Sequence, residues 1–250
     1  MKALITGASS GIGRDITKEL ASRGYDLILV SRDEEKMKEI AKNINTDVKI
    51  ISMDLSIEEN CKKLYEMTKD EKVDILINNA GFGVYGDFTE TDLEKEVSMI
   101  KTNIIAMHIL MKLFLKDMKK LDHGIILNVA SSAGFMPGPL MSSYYASKAY
   151  ILRLTEGIKE ELNKTDSKVQ VSVLCPGPVK TNFSKVAGVN FGMQSLSSEY
   201  VAKYTVKKML NGKFIIVPGT TMKIIRFLTK ISPNSLVSKI SYKINFTKQK

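Results

Sequence analysis

The chain has 250 residues, 44% of them hydrophobic, and a formal net charge of +10, enough length and apolar material for one full core. The excess charge is confined to one end: residues 201–250 hold eleven Lys or Arg and no Asp or Glu, whereas the first 200 hold 26 basic and 27 acidic side chains. That distribution excludes a uniformly basic nucleic-acid binder, Cys61 and Cys175 match no metal or redox spacing, and no uninterrupted apolar stretch approaches the roughly 18 residues of a membrane span.

In chain order, "KALIT" reads as a first strand, too short for a signal-peptide core. "GIGRDITKELASRG" follows as a helix with Ile12, Ile16, Leu20 and Ala21 on one face and Gly24 as its stop. "DLILV" is a second strand, and "DEEKMKEIAKNI" a helix whose acidic start suits the positive end of the helix dipole. "VKIISMDLS" and "SIEENCKKLYEMTKD" repeat the alternation. "VDILINNAG", "HGIILNVASSAG", "KVQVSVLCPGPV" and "KFIIVPG" supply a fourth to a seventh strand. Strands separated by helices of this length predict an α/β fold: a single, doubly wound parallel sheet of about seven strands, with ligands bound beyond the C-terminal strand ends. Two isolated cysteines fit a reduced, cytoplasmic chain. His108 reads as a core or interface residue and His123 as exposed, and with no clustered carboxylates neither marks a metal site.

The first strand-to-helix turn is "TGASSGIG", with Gly7, Gly11 and Gly13 spaced G-x-x-x-G-x-G. Glycines let the backbone turn tightly and approach a pyrophosphate closely, and the helix that follows presents free N–H groups. Ser9, Ser10 and Ile12 lie in the same turn. After the second strand an acidic residue would hold an adenosine ribose and favour NADH. Ser31 stands there instead, followed by Arg32, whose guanidinium suits a 2′-phosphate. NADPH is therefore expected ahead of NADH.

"SSYYASKAY" sets two phenols beside one lysine. A phenol with a pKa near 10 does little acid–base chemistry at neutral pH unless tuned. A cation about 4 Å away, at an effective dielectric near 20, favours the phenolate by about 4 kcal/mol. On a helix the cation must sit three or four positions on. Lys148 is four from Tyr144 and three from Tyr145, so spacing favours Tyr144 and leaves Tyr145 open. Tyr65 with Lys69 and Tyr204 with Lys208 share the spacing, and Ser52 precedes Tyr65 by the same thirteen residues that separate Ser131 from Tyr144. Only the Tyr144 pair follows a strand whose end, "NVASSAG", would bring a serine to the ligand-binding edge.

"TGASSGIG", "NNAG", "NVASSAG", "YYASK" and "PGPVKT", in this order and spacing, resemble the short-chain dehydrogenase/reductase family over residues 1 to about 185. The resemblance implies an NAD(P)-dependent oxidoreductase acting on a carbonyl or secondary alcohol. It implies Tyr144 as acid/base, Lys148 as the group that lowers its pKa and binds the nicotinamide ribose, and Ser131 as the hydrogen-bond donor to the substrate carbonyl, with Ser132 as rival. It implies that Asn103 sits in a helix distortion that holds a proton-relay water. Asp54 and Leu55, from "MDL", would meet the adenine. Asn78 through Gly81 would form the turn that stabilises the central sheet and touches the cofactor through Asn79, Ala80 and Gly81, with Asn78 and Asn79 structural rather than catalytic. Pro176, Gly177, Val179 and Thr181 would meet the nicotinamide end. Family members lean to homodimers and homotetramers.

Residues 221–250 read as a separate basic extension to a catalytic domain of residues 1–220. Before Pro233, Ile224, Ile225, Leu228 and Ile231 share one helical face and Lys223, Arg226 and Lys230 another. After it, Leu236, Val237, Ile240 and Ile244 oppose Lys239 and Lys243. Such helices suit a lid, a subunit interface or an anionic membrane surface, the last making the chain peripheral at the inner membrane face. Phe183, Val186, Val189, Phe191 and Met193 in the preceding loop suggest an apolar substrate or a loop packed closed. A dinucleotide-binding regulator without turnover is the alternative reading, which the intact Ser131, Tyr144 and Lys148 set disfavours.

Overall fold

A computed structural model describes residues 1–189 and 195–247. The first half runs β1 (Lys2–Thr6), α1 (Gly11–Ala21), β2 (Asp26–Ser31), α2 (Glu34–Ala41), β3 (Val48–Ser52), α3 (Glu58–Thr68), β4 (Val73–Asn78), α4 (Leu93–Ile100) and α5 (Met107–Leu121). Then come β5 (Ile125–Val129), α6 (Ser142–Lys164), β6 (Gln170–Leu174), β7 (Val179–Lys180), α7 (Phe183–Ala187), β8 (Leu196–Ser197), α8 (Ser198–Leu210), β9 (Ile215–Ile216), α9 (Thr220–Ile231) and α10 (Asn234–Phe246). Seven strands form one parallel sheet in the order β3-β2-β1-β4-β5-β6-β9. The strand order reverses between β1 and β4, which opens the ligand crevice above β1.

The strand alternation divides the core. Ala3, Ile5, Leu27 and Leu29 point to one face, where Ile16 and Leu20 of α1, Met37 of α2 and Val201 and Met209 of α8 cover them. Leu4, Ile28 and Val30 point to the other, under Leu64 of α3, Leu110, Met111 and Phe114 of α5 and Ile151 and Leu152 of α6. Helices α4 and α5 join through a π-helical turn, Lys101–Ala106, into one helix from Leu93 to Leu121. By length and composition this helix could cross a membrane. Met99, Leu110, Met111, Phe114 and Met118 are nonetheless buried in the protein interior, so it serves as a layer of the fold.

Several strands stop earlier than their apolar runs suggest. At the end of β4, Thr6 Oγ1 accepts from the amides of Asn79 and Ala80, both at 3.0 Å, in place of ladder partners. The chain leaves the sheet there, and the polar ends of the runs become loops at the C-terminal edge. Helix α8 and the two-residue β7–β8 ladder had no strong sequence signal; Leu196 and Ser197 simply pair with Val179 and Lys180. His108 is exposed and shares a 2.9 Å hydrogen bond with the Tyr150 hydroxyl, so it is not a core residue. Both cysteines are free and buried, and burial pushes the Cys61 thiol up to about 11 and that of Cys175 up to about 12.

Candidate active site

A cavity of about 890 Å³ opens at the C-terminal edge of the sheet. Its floor is the glycine turn: Gly7, Ser9, Ser10, Gly11 and Ile12 line it. Gly7 and Gly11 have φ of 66° and 55°. Gly13 lies beneath, where a Cβ would stand 2.3 Å from the Gly7 carbonyl oxygen and 2.4 Å from Asn79 Nδ2. Asn79 Nδ2 donates to the carbonyls of Thr6 and Gly7 at 3.0 and 3.2 Å. Asn79 is thus a clamp on the turn as well as a lining residue. Ser10 at the start of α1 makes no side-chain cap bond, and the first turn has no acidic residue. The amides at this helix end therefore face the cavity without a protein carboxylate to meet them.

On one side the cavity is bounded by Ser31, Arg32, Asp54 and Leu55. The Ser31 hydroxyl donates to Ser9 Oγ at 2.8 Å. Asp33 caps α2 through the Lys36 amide and pairs with the Lys36 ammonium at 2.5 Å, so it does not occupy Arg32. The Arg32 side chain is 73% exposed and only approaches Asp54, at 3.8 Å. Partial burial would raise the Asp54 pKa, but bonds from the Ser56 amide and hydroxyl, with the Arg32 charge, hold it below its usual value.

Ser131, Tyr144 and Lys148 meet at the inner end, with Ala80, Gly81, Pro176, Gly177, Val179 and Thr181 around them. Tyr144 is buried, and burial drives its phenol well above its ordinary value; the Ser131 side chain opposes that shift by hydrogen bonding. Ser131 Oγ also accepts from the Ala133 amide at 3.1 Å and lies 3.4 Å from the Pro176 carbonyl. Lys148 is buried too, and desolvation brings its ammonium down to about 8. Its Nζ donates to the Val129 carbonyl at 2.9 Å and stands 5.8 Å from the Tyr144 ring centroid. In the protein alone, burial outweighs any lowering of the phenol by the lysine. Thr181 packs over Gly11, its Cγ2 3.1 Å from where a Cβ would be.

Asn103 lies behind the wall, fully buried in the π-helical turn. Its Oδ1 accepts from the Phe82 amide, and its Nδ2 donates to the Phe82 carbonyl and to Ser147 Oγ, each at 3.0 Å. A Cβ on Gly81 would lie 2.7 Å from Asn103 Oδ1 and 3.4 Å from Lys148 Nζ, so this amide shapes the turn beside the lysine. Tyr145 also lines the cavity, but from another wall. Its hydroxyl donates to Asn245 Oδ1 at 3.3 Å, and its ring covers Gly138.

The outer wall was not legible as such. Met222, Ile225 and Leu228 of α9 and Val237, Ile240 and Ile244 of α10 line the cavity. The amphipathic pattern flagged these helices but not which residues turn inward. Arg226, expected on the outer basic face, instead stacks 5.6 Å over the Phe135 ring. In the loop after Thr181, Phe183 and Val186 line the cavity, whereas Val189 is buried in the small apolar cluster around Tyr144. Phe191 and Met193 lie outside the described residues.

A parallel sheet with a glycine turn at its switch point, and a serine, tyrosine and lysine on one rim, defines a dinucleotide-dependent oxidoreductase. The profile of the short chain dehydrogenase family matches residues 1–189, and the chain belongs to the short-chain dehydrogenase/reductase family. It is 32% identical over 224 residues to an uncharacterized oxidoreductase of Staphylococcus epidermidis, covering 88% of this chain and 96% of that one. The fold superposes on a short-chain dehydrogenase from Sphingobium yanoikuyae in complex with NADPH (TM-score 0.82, 26% identity, 94% and 97% of the two chains). It also superposes on a family member from Burkholderia phymatum in complex with NAD (TM-score 0.83, 25% identity, 91% and 92%). This chain is an NAD(P)-dependent enzyme.

Proposed function

We propose that the protein reduces an apolar ketone or aldehyde with NADPH, or oxidises the corresponding alcohol, with NADH as the weaker cofactor. The observation that carries this reading is the meeting of Ser131, Tyr144 and Lys148 in a cavity whose outer wall is mainly aliphatic, with the hydroxyls of Thr229, Ser232 and Ser241 among it. The glycine cradle and the uncapped α1 end suit a pyrophosphate. The exposed guanidinium of Arg32, held only loosely by Asp54 at 3.8 Å, suits a 2′-phosphate. Among the described residues Lys148 has one hydrogen-bond acceptor for three N–H donors, which leaves donors for ribose hydroxyls.

When bound, the dinucleotide supplies the hydride. Ser131 holds the carbonyl oxygen by a hydrogen bond that strengthens as negative charge grows there. Tyr144, kept protonated by burial, gives that oxygen its proton. The Lys148 charge then favours the phenolate left behind. Asn103 positions the Gly81–Phe82 turn against Lys148. Replacing Tyr144 by Phe removes only the proton donor, so Tyr144→Phe should cut turnover at least about a hundredfold and leave NADPH affinity nearly unchanged by fluorescence titration. Tyr145→Phe should keep turnover; the opposite pattern would transfer the acid/base role to Tyr145.

A further inference from the structure

Helix α9 exposes Phe227 and Ile231 at 63% and 66%, with Ile224 beside them. Helix α10 is turned the unusual way round for a helix on a soluble core. It buries Ser241 and Asn245 alongside a single aliphatic, Val237, and leaves Leu236, Ile240, Ile244 and Phe246 about half exposed. A helix with hydroxyl and amide inside and aliphatics outside fits a non-aqueous neighbour on its outer side. The charge of the same surface says which neighbour. Lys230, Lys239 and Lys243 are exposed. Among the described residues, no Lys or Arg beyond Lys168 takes part in an ion pair. A second copy would bring the same cationic surface, with no Asp or Glu in residues 201–250 to answer it, so self-association here is opposed by like charge. An anionic surface with an apolar interior complements both features.

We propose that the outer face of α9 and α10 docks on a bilayer containing anionic phospholipid. The lysines lie at the level of the phosphates, and Phe227, Ile231 and Phe246 enter the acyl boundary. Leu228, Ile240 and Ile244 are at once exposed and part of the cavity wall, so docking sets the rim of the cavity against the lipid. That an apolar carbonyl compound enters by this rim rests on the function proposed above; the docking does not.

The test is co-sedimentation of the full chain with phosphatidylcholine vesicles, with and without phosphatidylglycerol. Binding should be at least about tenfold tighter with the anionic lipid and should weaken with salt. Phe227→Ser with Ile231→Ser, neither in the cavity wall, should lose at least about tenfold in vesicle affinity at unchanged Tm. Lys230→Glu with Lys239→Glu and Lys243→Glu should abolish the preference for anionic lipid. The proposal is overturned by equal affinity for both vesicles, by no binding, or by unaltered binding of the Phe227/Ile231 variant. It is also overturned if that variant turns a lipid-free dimer into a monomer, which would make the face a self-association surface. Docking without carbonyl turnover would leave the surface standing and sink the proposed substrate; turnover without docking would do the reverse.

Discussion

The phenols of Tyr144 and Tyr145 leave adjacent positions of α6 for different walls, one toward Ser131 and the other toward Asn245. Spacing along the helix favoured the first; the third dimension separates them. Lys148 carries a consequence for stability. Its pKa is 10.5 in the ordinary state and about 8 in the fold. Between those values the unfolded chain holds the extra proton. Folding stability therefore rises with pH across that window, and the burial penalty is full below pH 8. Lys148→Met removes the penalty along with the 2.9 Å bond to Val129. Its Tm relative to the parent should be most favourable below pH 8 and lose that advantage as pH climbs to 10.5. A difference that does not change with pH would show that the ammonium is not desolvated. The proposed set of Ser131, Tyr144 and Lys148 was readable because the three lie within eighteen positions, on one strand end and one helix. Which hydroxyl faced which partner was not, because Asn245 is a hundred residues from Tyr145.

Among the elements, α1 and α10 show what local sequence can and cannot convey. The turn into α1 was legible because its chemistry is contained in eight residues, Thr6 to Gly13. The reason for Gly13 was not: it is the carbonyl of Gly7 and the side chain of Asn79, which arrives from β4. In α10 the apolar stripe was visible, but of its four residues only Val237 is buried, and Ser241 and Asn245 are buried with it. Three hydrogen bonds to Asn245 explain the inversion. Besides the Tyr145 bond, its Nδ2 donates to the Pro139 carbonyl at 2.8 Å, and its backbone carbonyl accepts from the Tyr85 hydroxyl at 3.1 Å. Asn245→Ala removes its side-chain bonds to Tyr145 and Pro139 and leaves that hydroxyl and that carbonyl without this partner, at a cost of about 1–3 kcal/mol. Amide hydrogen exchange in α10 should quicken while β1 and β4 stay protected. Unchanged α10 exchange would mean that apolar contacts alone hold the helix.

For the whole molecule, the alternation of strand and helix fixed the layers, and the expected seven parallel strands are present. The last strand is only Ile215–Ile216, so the sheet is complete before α9 begins. A chain ending at residue 219 should therefore unfold cooperatively and bind NADPH, since the cradle, Arg32 and Lys148 all precede the cut. It should lose affinity for apolar ketones, read as a raised KM, because Ile225, Leu228, Ile240 and Ile244 are gone. Loss of cooperative unfolding would instead make the tail part of the folding unit. The position of that outer wall also sets an order in time. During synthesis, the residues that cradle the dinucleotide emerge from the ribosome before those that close the substrate side. If those residues hold the dinucleotide as proposed, a nascent chain would meet its cofactor before the wall formed by α9 and α10 is in place.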